Sequence, residues 1–215
     1  MLTREEIKEY CLTVLGEINP MNEGVDESNN ALPLLSVIDR FVEVGVNEAI
    51  GLLPDIYLSY VEIPGEIVAR QDGSGYIELP DDFSERICFE MKGWKRAVTR
   101  AVYEDSPVYA MQKCMATRGG VNRPVCVIVR SAEGYVLEYY SLPPFFRNPE
   151  VEKKWYVPRA VRRGEGEEGV AEFDLDREVL PVIAYLVCKH VCEATGEMER
   201  SQYFSNEVVK QLELL

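Results

Sequence analysis

The spacing of apolar residues changes twice along this chain, and that change limits the folds open to it. Up to Leu53 they recur every three to four residues, the period of an amphipathic helix. After Pro54 they alternate every two, the period of a half-buried strand, and near Asp176 the helical period returns. Helices on both sides of a strand-rich middle give an α+β class: an N-terminal helix pair, an antiparallel β-rich middle and a C-terminal antiparallel helical hairpin.

Local signals set the expected boundaries. Thr3 followed by Glu6 is a capping box, opening a helix with Ile7, Cys11, Val14, Leu15 and Ile18 on one face and ending at Asn19-Pro20. The polar, turn-rich stretch 21–30 reads as a mobile loop. A second helix is expected from about Pro33, with Leu34, Ile38, Phe41, Val42, Gly45, Val46, Ala49, Leu52 and Leu53 on a broad apolar face; Pro54 stops it.

Strands are expected at 57–63, 66–70, 76–79, 86–92, 94–101, 124–130, 135–142 and 153–157. Hairpin turns fall at Asp72-Gly73-Ser74-Gly75 and Ala132-Glu133-Gly134. Ser106-Pro107 caps a short helix that places Val108, Met111, Cys114 and Met115 on one face. Residues 162–169 are Gly/Glu-rich and read as an exposed loop. The ten apolar residues from Val179 to Cys188 belong to a helix buried on most sides. Gly196 breaks it from a last helix carrying Met198, Phe204, Val208, Leu212 and Leu215. With no repeat and no linker, residues 1–215 read as one elaborated domain, helical at 1–54 and 176–215 and β-rich at 55–160.

The chemistry open to the chain is narrow. Histidine occurs once, at His190 in the middle of a helix, which leaves no partner for a His-based metal site or a proton relay. The six cysteines (11, 88, 114, 126, 188 and 192) sit in apolar surroundings with no CxxC spacing, so at least four are expected in the core of a reducing-compartment protein. Gly73-Ser74-Gly75 matches neither a phosphate loop nor a dinucleotide fingerprint. The acid pairs Asp81-Asp82 and Glu104-Asp105 read as turn caps. No catalytic residue, cofactor or metal is expected. The N-terminus has acids where a signal peptide needs an apolar core, and an apolar run of ten is about half a membrane span, so a soluble chain made in the cytoplasm is expected.

Charge is distributed unevenly. The net of −14 divides into −7 over residues 1–50, −6 over 51–94, +7 over 95–163 and −8 over 164–215. The positive block includes Lys95, Arg96, Arg100, Arg118, Arg123, Arg147, Lys153, Lys154, Arg159, Arg162 and Arg163. It also holds aromatic pairs expected to be exposed, Tyr139-Tyr140, Phe145-Phe146 and Trp155-Tyr156. Three readings stand side by side: a single-stranded nucleic-acid surface, an ordinary sheet surface, or one half of a self-complementary contact between copies. The bulk negative field opposes the first. The candidate interface residues are Arg96, Arg100, Arg118, Arg123, Phe145, Phe146, Arg147, Lys153, Lys154, Trp155, Arg159, Arg162 and Arg163.

Three stretches carry a resemblance: VIDRFVEVGVNEAIGLLP (37–54), GSGYIELPDDFSERICFEMKGWKRAV (73–98), and the closing REVLPVIAYLVCKHVCEATGEMERSQYFSNEVVKQLELL (177–215). In their order and pattern the chain is similar to the head–tail adaptor (connector) ring proteins of tailed bacteriophages, most of all those of short-tailed, crAss-like phages. The resemblance covers 33–101 and 176–215 and is a pattern of elements, so it transfers no functional residue. It implies a homo-oligomeric ring of about twelve subunits. The ring would dock under the portal protein and meet the next tail-ring protein, with double-stranded DNA passing through its channel without specific binding. It also implies a virion location at the head–tail junction or tail, synthesis in the bacterial host cytoplasm, and no membrane partner. The alternatives are another tail-ring protein of the same particle and a non-viral cytoplasmic protein-interaction module.

Overall fold

The computed structural model describes residues 1–17, 27–142, 149–160 and 170–215. The fold is α+β, with helices at the N-terminus, largely antiparallel sheets in the middle and a helix pair at the C-terminus. The chain divides into two compact units, a helical one formed by 1–59 with 160–215 and a β-rich one formed by 60–159.

In the helical unit, α1 (Arg4–Glu17) opens on the capping box. The Thr3 amide donates to the Glu6 carboxylate at 2.9 Å, and the Glu6 amide donates to Thr3 Oγ1 at 3.2 Å. Ile7, Cys11, Val14 and Leu15 are buried as their spacing requires, while Ile18 lies outside the described residues. Helix α2 spans Glu27–Leu52, beginning six residues ahead of Pro33. Residues 27–30 of the expected loop therefore belong to this helix, and 21–26 lie outside the described residues. Proline read as a helix opener misplaced this start, because the ring removes one amide donor without fixing where the helix begins. Leu52, assigned to the apolar face, is 46% exposed, and Ile50 is buried instead.

Helix α4 (Leu180–Thr195) is the centre of this unit and packs against α1, α2 and α5 (Met198–Leu214). Asp176 caps the 3-10 turn Arg177–Val179 ahead of it by accepting from the Glu178 amide at 3.1 Å. Eight α4 residues are buried, among them Val182, Ile183, Leu186, Val187, Cys188 and Cys192. At roughly 1.5–3 kcal/mol for each large aliphatic side chain, this helix is the largest apolar contribution to the unit. Gly196 ends it in the left-handed region at φ 82°, and its amide caps the Cys192 and Glu193 carbonyls. On α5, Phe204 and Val208 face inward as expected, but Met198 is 67% exposed.

The re-entering chain is fastened to the helices by polar contacts. The Asn47 side chain exchanges two hydrogen bonds with the Ala160 backbone at 2.8 and 2.9 Å. The short strands β1 (Leu2–Thr3) and β11 (Glu172–Phe173) pair antiparallel. The Arg4 guanidinium donates to Asp39 Oδ1 and Glu43 Oε1, both at 2.6 Å.

The β-rich unit contains two sheets. The first orders β2 (Val61–Glu62), β10 (Val151–Tyr156), β5 (Arg86–Met91) and β6 (Val98–Arg100) as β2-β10-β5-β6. The second orders β3 (Val68–Ala69), β4 (Gly75–Leu79), β9 (Tyr135–Tyr139), β8 (Cys126–Arg130) and β7 (Val102–Tyr103) as β3-β4-β9-β8-β7. All pairings are antiparallel except β7 with β8, which is parallel and departs from the expected all-antiparallel middle. The stretch expected as a strand at 94–101 supplies only β6. The stretch at 57–63 begins in a 3-10 turn, Asp55–Tyr57, before the two-residue β2.

Residues of both sheets share one core that includes Ile63, Ile77, Ile87, Phe89, Trp94, Cys126, Leu137 and Tyr139. Phe89 stacks on Tyr139 with centroids 6.0 Å apart, and Trp94 meets both rings edge-on. Four cysteines, 11, 126, 188 and 192, are buried, as their apolar surroundings require.

Helices α2 and α4 approach closely at Gly45. A methyl group there would lie 2.5 Å from Val187 Cγ2 and 3.1 Å from the Val187 amide nitrogen. Gly45→Ala should therefore lower unfolding free energy by about 1–3 kcal/mol in chemical denaturation. Gly51→Ala, on the same helix with nothing within 4 Å, should be neutral or stabilising by up to about 1 kcal/mol. Equal losses at both sites would remove the close-approach explanation.

Candidate interaction surface

The β-rich unit carries the described candidate interface residues, and its charge differs from the segment pattern. Residues 60–159 hold 14 basic and 14 acidic side chains, so this unit is net neutral, while the remaining residues hold 9 bases against 23 acids. Folding brings the positive block onto the acidic segment that precedes it. Lys153 pairs with Glu90 at 2.7 Å and Lys154 with Glu62 at 3.0 Å. Arg118 pairs with Asp72 at 3.1 Å, and Arg100 lies 3.5 Å from Glu85.

The outer face of the four-stranded sheet shows how strand alternation sorts these groups. Ile87, Phe89 and Met91 of β5 point into the core, which turns Arg86, Cys88 and Glu90 outward. Register then places Trp155 opposite Cys88 and Lys153 opposite Glu90, with Glu62 opposite Trp155 on the other side. Trp155 is 42% exposed, a large aromatic on an otherwise charged surface. The sheet's edges are β2 and β6, of two and three residues, too short to template a long added strand.

Arg118 has a structural task. Its Nε donates to the Gln112 carbonyl at 3.0 Å, its Nη1 and Nη2 bind the Asp72 carbonyl and carboxylate at 2.9 and 3.1 Å, and its guanidinium lies over the Tyr140 ring. It fastens the segment after α3 (Pro107–Gln112) to the 72–75 turn. Helix α3 ends at Gln112, and Met111, Cys114 and Met115 are exposed rather than sharing a packed face. Tyr139 and Tyr140, read as exposed aromatics, are buried at 0% and 5%. Phe145, Phe146, Arg147, Arg162 and Arg163 lie outside the described residues.

Arg96 and Arg123 are exposed and make no side-chain hydrogen bond or ion pair with another described residue, and Lys95 is the same. Lys95 is not among the candidate interface residues, and its place beside Arg96 after the Gly93 turn is the sequence signal for it. Arg159 is exposed, its amide held by the Asp82 carbonyl at 2.7 Å. Two exposed tyrosines were missed, Tyr103 at 38% and Tyr135 at 41%. Strand ends expose alternate aromatics in a way that composition does not signal.

A cleft of about 420 Å³ opens on the second sheet, lined in part by Arg70, Tyr76, Arg130, Val136 and Glu138. Glu138, only 7% exposed, accepts from Arg70 at 2.8 Å and, in a short contact, from Tyr140 Oη. Burial, and then Glu138, push the Tyr140 phenol far above its usual range, so it keeps its proton and donates. Arg70, Glu138 and Tyr140 answer one another, an arrangement that rigidifies this part of the sheet face. His190 is similarly engaged, with Nε2 2.6 Å from Glu48 and its ring stacked on Phe41. Among the described residues, no three His, Cys, Asp or Glu side chains converge as a metal-binding group, and no helix is long and apolar enough to cross a membrane. No family model matches the chain, and no curated protein matches it significantly.

Hydrogen bonds from Ser74, with Arg118 adding to them, hold the Asp72 carboxyl below its usual range. A carboxyl lowered in the folded state stabilises the fold above its unfolded value near pH 3.8. The contribution disappears as pH falls through the folded value. Asp72→Asn should thus cost about 1 kcal/mol at neutral pH, a figure discounted for solvent exposure, and progressively less below pH 4. A loss independent of pH in paired melting curves would assign the effect to turn geometry rather than charge.

Proposed function

We propose that this chain is a structural subunit of a phage particle, a head–tail adaptor whose copies form a ring under the portal protein and around the DNA channel. The observation that carries the reading is the division of charge: the helical residues hold the entire net charge of −14, and the β-rich residues are neutral with exposed cations. A ring closed by head-to-tail contacts needs two unlike surfaces on each subunit, and this division supplies them.

The stretches that resemble the adaptor family also lie on defined elements, namely α2, the β4–β5–β6 region and the α4–α5 pair. An acidic channel wall favours DNA passage because it does not hold phosphate. The reading assigns the chain no reaction, no cofactor and no membrane partner. Its other partner would be the next ring of the tail.

Sedimentation of the purified chain with the portal protein encoded alongside it tests this. The reading predicts a complex that gains about one copy for each portal subunit. A chain that stays at monomer mass in the portal's presence overturns it and favours a one-partner interaction module.

A further inference from the structure

Two turns of the β-rich unit meet at one place on its surface. The Lys95 amide donates to the Val121 carbonyl at 2.9 Å, which sets the turn after β5 beside the 119–123 turn. Trp94 and Val98 belong to the core beneath, and Val121 packs against it, so both turns are anchored. Lys95, Arg96 and Arg123 stand on these turns, all exposed and without a side-chain partner among the described residues. Elsewhere on the unit Lys92, Arg118, Lys153 and Lys154 each have a carboxylate. Adjacent turns thus carry three positive charges with no counter-charge among the described residues, a surface suited to an acidic partner.

The helical unit offers the complementary surface on α5. Ser201, Phe204 and Val208 of that helix face inward, which leaves Glu199, Tyr203, Val209 and Glu213 on its outer side. Tyr203 and Val209 are 46% and 56% exposed, and Glu199 and Glu213 form no ion pair with a described residue. Glu199 lies one turn before Tyr203, Glu213 lies about three turns beyond it, and the exposed Lys210 between them is already paired with Glu207. A carboxylate beside an exposed aromatic suits arginine, whose guanidinium pairs with carboxylates and stacks on rings.

We infer that the basic tip formed by Lys95, Arg96 and Arg123 docks on the outer face of α5 in a second copy of this chain. Because the two patches are unlike, the contact can repeat head to tail from copy to copy, as closure of a ring requires. Nucleic acid is the weaker occupant: the tip has no exposed aromatic for base stacking, as Trp94 is only 6% exposed, and the net charge of −14 repels phosphate. The inference rests on the ring reading for its choice of a second copy.

Sedimentation of the full chain without portal, up to millimolar concentration, is the test. The wild type should form head-to-tail dimers and larger species. The tip reversal Lys95→Glu/Arg96→Glu/Arg123→Glu and the helix reversal Glu199→Lys/Glu213→Lys should each weaken association about tenfold or more, and an equal mixture of the two should restore it. The neutral set Lys95→Gln/Arg96→Gln/Arg123→Gln should fall between, with unchanged circular dichroism and melting showing that the fold is kept. A wild type monomeric at millimolar concentration, a tip reversal that associates like the wild type, or a mixture that stays monomeric each overturns the inference. Loss in the tip reversal of binding to a short DNA duplex that the wild type holds overturns it in favour of nucleic acid. Portal binding is read separately, so the ring reading can survive failure of this contact.

Discussion

The ion cluster around Arg4 closes the helical unit by joining three segments far apart in sequence. The side chain is 7% exposed, yet its guanidinium reaches Asp39, Glu43 and the Asp39 and Val170 carbonyls, while the Glu43 carboxylate also accepts from the Val170 amide. Burial opposes the charge, but the hydrogen bonds that the guanidinium donates to Asp39 and Glu43, with the charges of those carboxylates, outweigh it and hold Arg4 above its usual range. One side chain thereby joins the start of α1, the middle of α2 and the segment entering β11. Taking the guanidinium from the buried Glu43 would cost about 3–5 kcal/mol, more than a single surface pair contributes, whereas Asp39 is partly exposed and also lies 3.6 Å from Lys8. The apolar burial of α4 provides most of the stability, and the Arg4 cluster sets which chain segments lie beside one another.

Features determined by residues close in sequence were legible beforehand. The Thr3–Glu6 capping box, the Gly196 stop, the buried α4 run and the 72–75 hairpin turn each depend on side chains within a few positions. Contacts across long separations were not. The pairing of Arg4 with Asp39 and Glu43, the parallel join of β7 to β8 and the fastening of Arg118 to Asp72 depend on which strands and helices meet, and no local pattern carries that. The burial of Tyr139 and Tyr140 belongs to the same class, since period alone does not tell which face of a strand is covered.

The candidate surface changed most. Segment arithmetic gave a basic middle and acidic flanks. The fold cancels most of that contrast inside the β-rich unit through Lys153–Glu90, Lys154–Glu62 and Arg118–Asp72. What survives is smaller and more specific, a few exposed cations that include the tip at Lys95, Arg96 and Arg123, and a helical unit that retains the whole net charge. Unlike surfaces on one subunit allow contacts between non-equivalent patches, and such contacts repeated head to tail build rings or filaments.

The central claim is that copies of this chain meet through unlike surfaces in a closed ring. A low-resolution image of a particle or portal complex containing the chain tests it most directly. The account predicts a closed ring of about twelve copies around a channel, with the β-rich unit of each beside the helical unit of the next. Two-fold pairs in which identical units face one another, or single copies bound to another protein, would contradict it.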